Sequence, residues 1–193
     1  MKELQETILK KTINEIYPWN ILVVLINAMF SAAIVLILLV ILEYEVKPLL
    51  ITIVVVVSIG WISIRDLYRV KKNTKQLYKQ HDYIIEKKPY ATLHLPIFGK
   101  VGVRQQLKNA TLFFIEDRLF MEAYKKDAKN KEITESRTVK QGKDFIIHEY
   151  QENDKHQYVT YKATLMETDY EFNVVNIPEV ISMIEKSKGV KEE

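Results

Sequence analysis

Two uncharged apolar runs separated by a short polar stretch constrain this chain more than any other feature. The first run occupies residues 21–42 and the second residues 49–64. A helix needs about 20 apolar residues to cross a bilayer, so the first run is long enough by itself. The second run reaches that length when the helix begins at Pro48 and the residues that follow the run, "RDLY", lie among the lipid headgroups. We therefore predict two transmembrane spans, residues 21–42 and 48–65.

Two other interpretations of the runs stay open. The first run could be a secretory signal peptide under one interpretation. Under the other, the two runs together form a buried hairpin in a soluble protein. The signal peptide is disfavoured because the run exceeds the length of an h-region and "EYEVKP" follows it instead of a small-residue cleavage site.

Flanking charge predicts how the spans are oriented. Three lysines precede the first span, and residues 65–88 hold eight basic side chains against three acidic ones. The intervening residues 43–47 hold one lysine beside two glutamates. The positive-inside rule then puts both termini in the cytoplasm and the turn outside. Trp19 and Trp61 fall near the predicted cytoplasmic boundary, where indole rings are enriched.

Two polar residues interrupt the apolar runs. In an antiparallel hairpin Asn27 and Ser58 reach the same depth, so we expect Asn27 to bond to Ser58 or to another chain. The alternative is a pore-lining or ion-sensing polar site. Ala28 and Ala32 have the small-xxx-small spacing that lets helices approach closely, which permits a homo-oligomer through the hairpin.

The segments on both sides of the hairpin are predicted to be helical. Residues 1–20 gather apolar side chains on one side, which indicates an amphipathic cytoplasmic helix at the membrane surface. Residues 66–88 read as a basic juxtamembrane helix or linker. Its basic side chains are topology determinants, and they are also candidates for acidic lipid at about 1 kcal/mol each. These candidates are Arg69, Lys71, Lys72 and Lys75.

From residue 89 onward the apolar pattern changes to a period of two, as in Leu93, Leu95 and Ile97. Residues 89–193 predict seven antiparallel strands, because the links are too short for crossover helices, with a tight turn at Glu116–Asp117. A helix over residues 177–188 follows, with Asn176 as its N-cap and an apolar stripe at helical spacing. The fold class predicted is an α+β membrane protein: a transmembrane hairpin, then a seven-stranded β-barrel or sandwich with a C-terminal capping helix.

The stretches "NATLFFIEDRLFMEAY" and "YEFNVVNIPEVISMIEK" resemble the strand–turn–strand and the closing strand and helix of the pleckstrin-homology superfold. The likeness covers residues 90–188 and rests on the order of elements. It is nearest to bacterial PH-like domains, which are often tethered by transmembrane helices. The resemblance implies a binding module for lipids, peptides or proteins at the bacterial inner membrane, and it carries over no ligand residue.

A second resemblance leads to an alternative function. Two spans followed by a β-barrel resemble the membrane effectors of cyclic-oligonucleotide anti-phage defence, which implies nucleotide sensing and membrane disruption. The likeness is one of layout, and the Trp–Gly-bearing first barrel strand expected of that group is missing, since residues 89–193 contain no Trp.

Residue types and spacing indicate no reaction. The chain has no cysteine, and its four histidines occur singly, without the spacing of a helical metal pair. No Gly-rich phosphate loop precedes a helix. We therefore predict no catalytic, cofactor-binding or metal-binding residue, and a non-enzymatic protein.

Candidate contact residues come from local charge. The basic excess is confined to one stretch, which argues against a nucleic-acid polymer as partner. The polar connection of residues 125–137 supplies lysines for an acidic lipid or a protein partner of unknown identity. These lysines are Lys125, Lys126, Lys129 and Lys131.

Overall fold

The computed structural model describes residues 1–16, 21–42, 48–101, 104–127, 133–142, 144–153 and 157–189. The elements in chain order are α1 (Lys2–Ile16), α2 (Ile21–Ile41), α3 (Pro48–Lys87), β1 (Leu93–Val101), β2 (Arg104–Ile115), β3 (Arg118–Lys126), β4 (Ile133–Lys140), β5 (Phe145–Glu152), β6 (Tyr158–Leu165), β7 (Thr168–Val175) and α4 (Pro178–Lys188). Two compact units share these elements: Met1–Tyr17 with Asn73–Glu193, and Pro18–Lys72. The predicted outer turn of residues 43–47 and Trp19 lie outside the described residues.

The seven predicted strands form one antiparallel sheet in the order β4-β3-β2-β1-β7-β6-β5. The sheet curls into a half-barrel, in which β4 and β5 are the edge strands. The predicted tight turn at Glu116–Asp117 is confirmed, because β2 ends at Ile115 and β3 begins at Arg118. The α+β class is confirmed for this part of the chain.

The core lies on one face of the curled sheet. Inward-facing apolar side chains of most strands meet there, including Leu95, Phe114 and Phe172, which are all fully buried. Two residues of α4, Val180 and Ile184, enter the same core. The predicted apolar stripe of the last helix is therefore confirmed as its buried face. Its predicted N-cap is wrong.

The N-cap of α4 is Ile177, whose backbone is extended and whose side chain caps nothing. Asn176 lies one residue earlier, where its backbone N–H donates to Gln157 O at 2.8 Å. The strand β7 ends at Val175, so residue 176 still continues the hydrogen bonding of the sheet instead of starting the helix.

The apolar face of α1 packs on the sheet, which differs from the membrane-surface helix expected from its sequence. Ile8 and Ile16 belong to the core, and α1 contacts β1, β2 and β7. The pattern of an amphipathic helix is the same for both partners, so the periodicity did not distinguish a sheet from a bilayer.

Residues 73–87 of α3 pack on the opposite face of the sheet. Leu77, Gln80 and Ile84, at most 1% exposed, form the contacting face of this segment. Because helices cover both faces of the sheet, every residue of β1 from Leu93 to Gly99 is buried, and buried and exposed positions do not alternate along this strand. The segment predicted as a juxtamembrane helix or linker is thus helical as far as Lys87, and residues 73–87 belong to the sheet unit.

The second unit consists of α2 and the first part of α3. Large apolar side chains are exposed around these helices, among them Phe30, Ile37 and Val56. Among the described residues, one helix, Leu49–Lys87, is long and apolar enough to cross a membrane, and the described apolar stretch of α2, Ile26–Ile41, is shorter. The paired spans therefore stay a prediction.

Candidate functional site

A polar cavity of about 340 Å³ lies between α3 and the strands β2 and β3. Amide side chains and one lysine dominate its wall. The lining residues are Asn73, Gln76, Gln106, Leu107, Asn109 and Lys126.

The α3 wall of the cavity follows from helical spacing. Asn73, Gln76 and Gln80 are separated by three and four positions, so they share one face of the helix. Gln80 is 1% exposed, and its Nε2 donates to Lys108 O at 3.2 Å, which ties α3 to β2 below the cavity.

A β-bulge shapes the strand wall. Pro96 pairs with Thr111 and Phe98 with Leu107, so β2 has two more residues than β1 between these pairs. Such an insertion re-aims side chains, and it puts Gln106 and Asn109 on the same cavity although they are three positions apart.

The side chain of Lys108, inside the bulge, lies against the backbone of Gly99. A Cβ built on Gly99 would lie 2.3 Å from Lys108 Cε, so the glycine makes room for this lysine. The Lys108 ammonium lies 4.9 Å from the centroid of the Tyr170 ring. Lys108 therefore belongs to the contact with β7 and not to the cavity.

Two of the predicted loop lysines, Lys125 and Lys126, fall within the described residues and have different contacts. Lys125 is 71% exposed and pairs with Glu135, with Nζ 3.2 Å from Oε1. Lys126 lines the cavity, and its Nζ lies 5.7 Å from the centroid of the Tyr124 ring. Lys129 and Lys131 lie outside the described residues.

The juxtamembrane candidates lie along α3. Lys71, Lys72 and Lys75 are exposed. Arg69 is half-buried, and its guanidinium lies 3.9 Å from Asp66 Oδ1. Their role in lipid binding stays a prediction.

The intramembrane pair also stays a prediction. Ser58 is 7% exposed and Asn27 is half-buried. Ala28 and Ala32 are both buried and lie one helical turn apart, so the two residues share one face of α2.

Two histidines that look isolated in the sequence meet in the structure. His94 Nδ1 lies 3.4 Å from His81 Nδ1, and His94 Nε2 lies 2.7 Å from Thr111 Oγ1. Thr111 donates its single hydroxyl hydrogen to Leu95 O at 2.8 Å, so its oxygen accepts from His94 Nε2–H. His94 Nδ1 is then the acceptor, and His81 Nδ1–H the donor.

Burial keeps this histidine pair neutral. Burial, together with the smaller effect of the neighbouring His81, lowers the pKa of His94 to about 3. Burial also lowers the pKa of His81, against the opposing effect of Asp82. Among the residues that the structure describes, no three His, Cys, Asp or Glu side chains gather as metal ligands. The pair is therefore a structural contact between α3 and β1.

A second, open groove of about 750 Å³ crosses β5, β6 and β7. His148 donates to or accepts from Thr164 Oγ1 at 2.7 Å, and Lys162 Nζ lies 2.7 Å from Glu149 Oε1. The hydrogen bond from Lys162 lowers the pKa of Glu149. These exposed side chains are paired with one another across the strands, as is common on a solvated sheet face.

Sequence reasoning missed the amide-lined cavity. The candidate contact residues were selected by their charge, whereas the four carboxamides are uncharged. They occur in two polar stretches, "NTKQ" and "RQQLKN", whose composition is typical of ordinary protein surface. The available signal was the concentration of carboxamides in both stretches. No protein-family model, curated protein or solved structure matches the chain.

Proposed function

We propose that this chain is an integral membrane protein that anchors a non-enzymatic β-rich binding module at the cytoplasmic face of a bacterial inner membrane. Its role is regulation, scaffolding or immunity through protein contacts, aided by acidic lipid. The observation that carries the anchoring is the exposed apolar surface of α2 and the first part of α3.

Exposure of this extent favours lipid as the surrounding medium. In the most apolar window of α3 only 11% of the residues are buried. Phe30 is 70% exposed and Val56 is 62% exposed. Soluble proteins rarely expose apolar surface on this scale, because burying it is worth about 25 cal/mol per Å².

Helix lengths also support the anchoring. The 21 residues of α2 extend about 31 Å at 1.5 Å per residue, which equals the hydrocarbon thickness of a bilayer. The 40 residues of α3 extend about 60 Å, twice that thickness, so its charged second part lies outside the bilayer in our proposal. Buried small residues on α2 and buried Ser58 and Ile62 on α3 support a packed helical pair.

The binding role is supported by the sheet unit. Two antiparallel meanders followed by a helix over the core correspond to the PH-like order of elements, a superfold used for binding. The edge strand β4 is exposed from Thr134 to Thr138 and offers backbone groups to a protein partner. The groups with shifted pKa values lie in packed contacts, as His94 does, or in a cross-strand ion pair, as Glu149 and Lys162 do, which favours binding over catalysis.

Two exposed isoleucines provide a matched test of the anchor. Ile37 is 58% exposed on α2, and Ile85 is 53% exposed at the end of α3. A lysine at the centre of a span costs roughly 3 kcal/mol of insertion free energy. We expect Ile37→Lys to reduce the fraction that resists alkaline carbonate extraction of membranes, and Ile85→Lys to leave it unchanged.

Orientation and partner are tested on the full chain in a bacterial host. We expect a green fluorescent protein fused after Glu193 to fluoresce and alkaline phosphatase at the same position to be inactive.

Affinity capture from solubilised membranes should retain a protein partner, and charge reversal at Lys125 and Lys126 should weaken the binding of that partner. Extraction of the wild type by carbonate contradicts the anchor. Vesicle leakage on adding a cyclic oligonucleotide, with no partner captured, contradicts the scaffold role.

A further inference from the structure

The two edge strands of the sheet differ in how their outer backbone groups are bonded. On β5, Ile147 N–H donates to Gln141 Oε1 at 3.2 Å, and the Lys188 ammonium donates to His148 O at 3.2 Å. Side chains thus occupy part of this edge, which is one way in which proteins prevent unwanted strand pairing. On β4, residues 134–138 are all exposed, and among the described strands β4 pairs with β3 alone. The edge of β4 is therefore open to another strand.

The backbone groups at the open edge of β4 follow from its pairing with β3. Gln141 N–H donates to Leu119 O at 2.9 Å, so residue 141 directs its backbone groups towards β3. Hydrogen-bonding residues alternate along an antiparallel strand, and the register of β4 on β3 is unbroken from Glu135 to Lys140. Even-numbered residues of this stretch therefore direct their N–H and C=O groups outward. Ser136, at the middle of the exposed residues, is one of them.

The sequence of β4 is complementary to itself about Ser136. When two copies of the strand lie antiparallel with Ser136 opposite Ser136, Glu135 of each copy lies opposite Arg137 of the other. Thr134 and Thr138 lie opposite each other in the same arrangement. Opposite charges and paired threonines across antiparallel strands both stabilise the pairing. The strand thus supplies both members of each charge pair.

Charge also opposes the neighbouring registers. A shift by two residues keeps the same side chains on each face of the sheet, so it is the nearest alternative. In one direction this shift brings Arg137 opposite Arg137, and in the other direction it brings Glu135 opposite Glu135. Like charges that lie directly opposite each other destabilise strand pairing. The charges therefore select the register about Ser136.

Hydrogen-bond geometry agrees with this register. Because Ser136 directs its backbone outward, two copies that face each other at this residue exchange both N–H···O bonds of a hydrogen-bonded pair. Glu135 and Arg137 then form the non-hydrogen-bonded pairs on either side, where opposite Cα atoms approach to about 4.5 Å and side chains lie closest. Charge pairing and backbone pairing therefore share one centre.

The existing side-chain contacts of β4 leave its edge free. Tyr83 Oη, on α3, lies 2.5 Å from Ser136 Oγ, which is a contact on the face of the sheet. Glu135 Oε1 lies 3.2 Å from Lys125 Nζ, and the Glu135 side chain is 68% exposed. A carboxylate accepts several hydrogen bonds, so Glu135 can bind Lys125 and an arginine of the second copy together. Pairing of two copies therefore breaks neither contact.

We propose that the open edge of β4 is the interface between two copies of this chain, which pair antiparallel about Ser136 and join their sheets into one. The occupant is a second copy and not an unrelated extended peptide, because the strand matches its own charges in this register. This inference deepens the proposed function, on whose binding role it rests, by naming the partner of the β4 edge.

Cysteine cross-linking tests the contact, because the chain contains no cysteine of its own. Opposite Cα atoms of a hydrogen-bonded pair lie about 5.5 Å apart, a distance that a disulfide spans. We expect the purified full chain with Ser136→Cys, in detergent under mild oxidation, to give at least tenfold more disulfide-linked dimer than Gln151→Cys. Gln151 is the control because it is exposed on the other edge strand, β5.

Charge reversal in the Ser136→Cys chain tests the register. Glu135→Arg and Arg137→Glu should each lower the yield of cross-linked dimer at least fivefold, because like charges then face each other. The double variant with both reversals should recover the yield, since it restores opposite charges. A mixture of the two single variants should likewise cross-link one with the other. Thermal unfolding verifies that each variant is folded.

Three outcomes overturn this inference. They are an absence of the disulfide at residue 136 even where sedimentation shows a dimer, a yield that charge reversal leaves unchanged, and cross-linking of Ser136→Cys in membranes to a different protein. If the wild type still resists carbonate extraction and captures a partner in those cases, only this inference fails and the proposed function stands. Cross-linking at residue 136 in a chain that carbonate extracts would instead refute the anchor and leave the β4 interface in place.

Discussion

The side chain of Gln5 makes both of the hydrogen bonds that a neighbouring strand would make with His94. Gln5 Nε2 donates to His94 O at 2.9 Å, and His94 N donates to Gln5 Oε1 at 2.8 Å. In the described part of the sheet, β7 pairs with β1 at Phe98. The carboxamide thus satisfies the edge of β1 where β7 has diverged, and it attaches α1 to the sheet.

Removing this carboxamide tests its structural role. We expect Gln5→Ala to lower the free energy of unfolding by roughly 2 kcal/mol, because two backbone groups of His94 lose their partner. Glu6→Ala, at the next and exposed position, should change it by less than about 0.5 kcal/mol. Denaturant unfolding of the full chain in detergent, followed by circular dichroism, measures both. Equal losses would show that the edge of β1 does not need Gln5.

The buried histidine predicts a pH dependence of stability. His94 has a pKa of about 3 when folded, whereas the unfolded chain binds the proton below about pH 6.5. The unfolded state therefore holds more protons between these values, so the free energy of unfolding falls as the pH drops from 6.5 towards 3. The contribution approaches ~1.4 kcal/mol per pH unit.

Substitution isolates the share of His94 in this dependence. We expect His94→Gln to flatten the slope of unfolding free energy against pH between 6 and 4 by up to one proton. The control is Gln151→Ala, an exposed residue of β5 that does not titrate, and it should leave that slope unchanged. Parallel slopes for the wild type and His94→Gln would refute the role of the buried ring.

Two ion pairs on β3 differ in burial and predict different energies. Glu122 is 1% exposed, accepts a hydrogen bond from Thr138, and lies 3.7 Å from Lys88 Nζ. We expect Lys88→Ala to lower the free energy of unfolding by roughly 3 kcal/mol, because the buried carboxylate loses its cation.

The exposed pair on the same strand is the control for this comparison. Lys125 and Glu135 are 71% and 68% exposed. Lys125→Ala should therefore cost less than about 1 kcal/mol. The same denaturant experiment measures both variants, and similar losses would mean that burial of Glu122 does not decide the cost.

The turn between β6 and β7 is strained by its residue types. Met166 and Glu167 both have positive φ, 49° and 64°, in the manner of a type I′ turn. We expect replacement of this pair by Asn-Gly to raise the free energy of unfolding by about 1 kcal/mol. Gly142→Ala makes the opposite change, because it puts a Cβ at a residue whose φ is 103°, and it should lower the free energy of unfolding. A destabilised Asn-Gly variant, measured by thermal unfolding, would contradict the turn assignment.

The strands and the last helix could be predicted from local pattern. Alternating apolar residues such as Val159, Tyr161 and Ala163 face the core, and the stripe of α4 covers it. These patterns depend on neighbours within a few residues, so the chain itself carries the information. The exception is Asn176, where hydrogen bonding with a distant strand prevailed over a local capping signal.

The candidate site could not be predicted in the same way. Asn73 and Gln106 are distant in the chain, and the carboxamides concentrated around each of them do not show that the two stretches meet. The bulge in β2 that aims Gln106 and Asn109 at the same cavity depends on pairing with β1. Likewise, His81 and His94 meet only because α3 packs on the face opposite the core.

The amino-acid sequence by itself determined where apolar runs, strand alternation and the closing helical stripe occur, because each arises from the spacing of side chains along one element. Tertiary structure alone decided what the amphipathic faces of α1 and α3 cover. Both faces have the same period against lipid or protein, and the choice came from contacts such as those of Gln5 and Gln80 with backbone groups that the sheet leaves available.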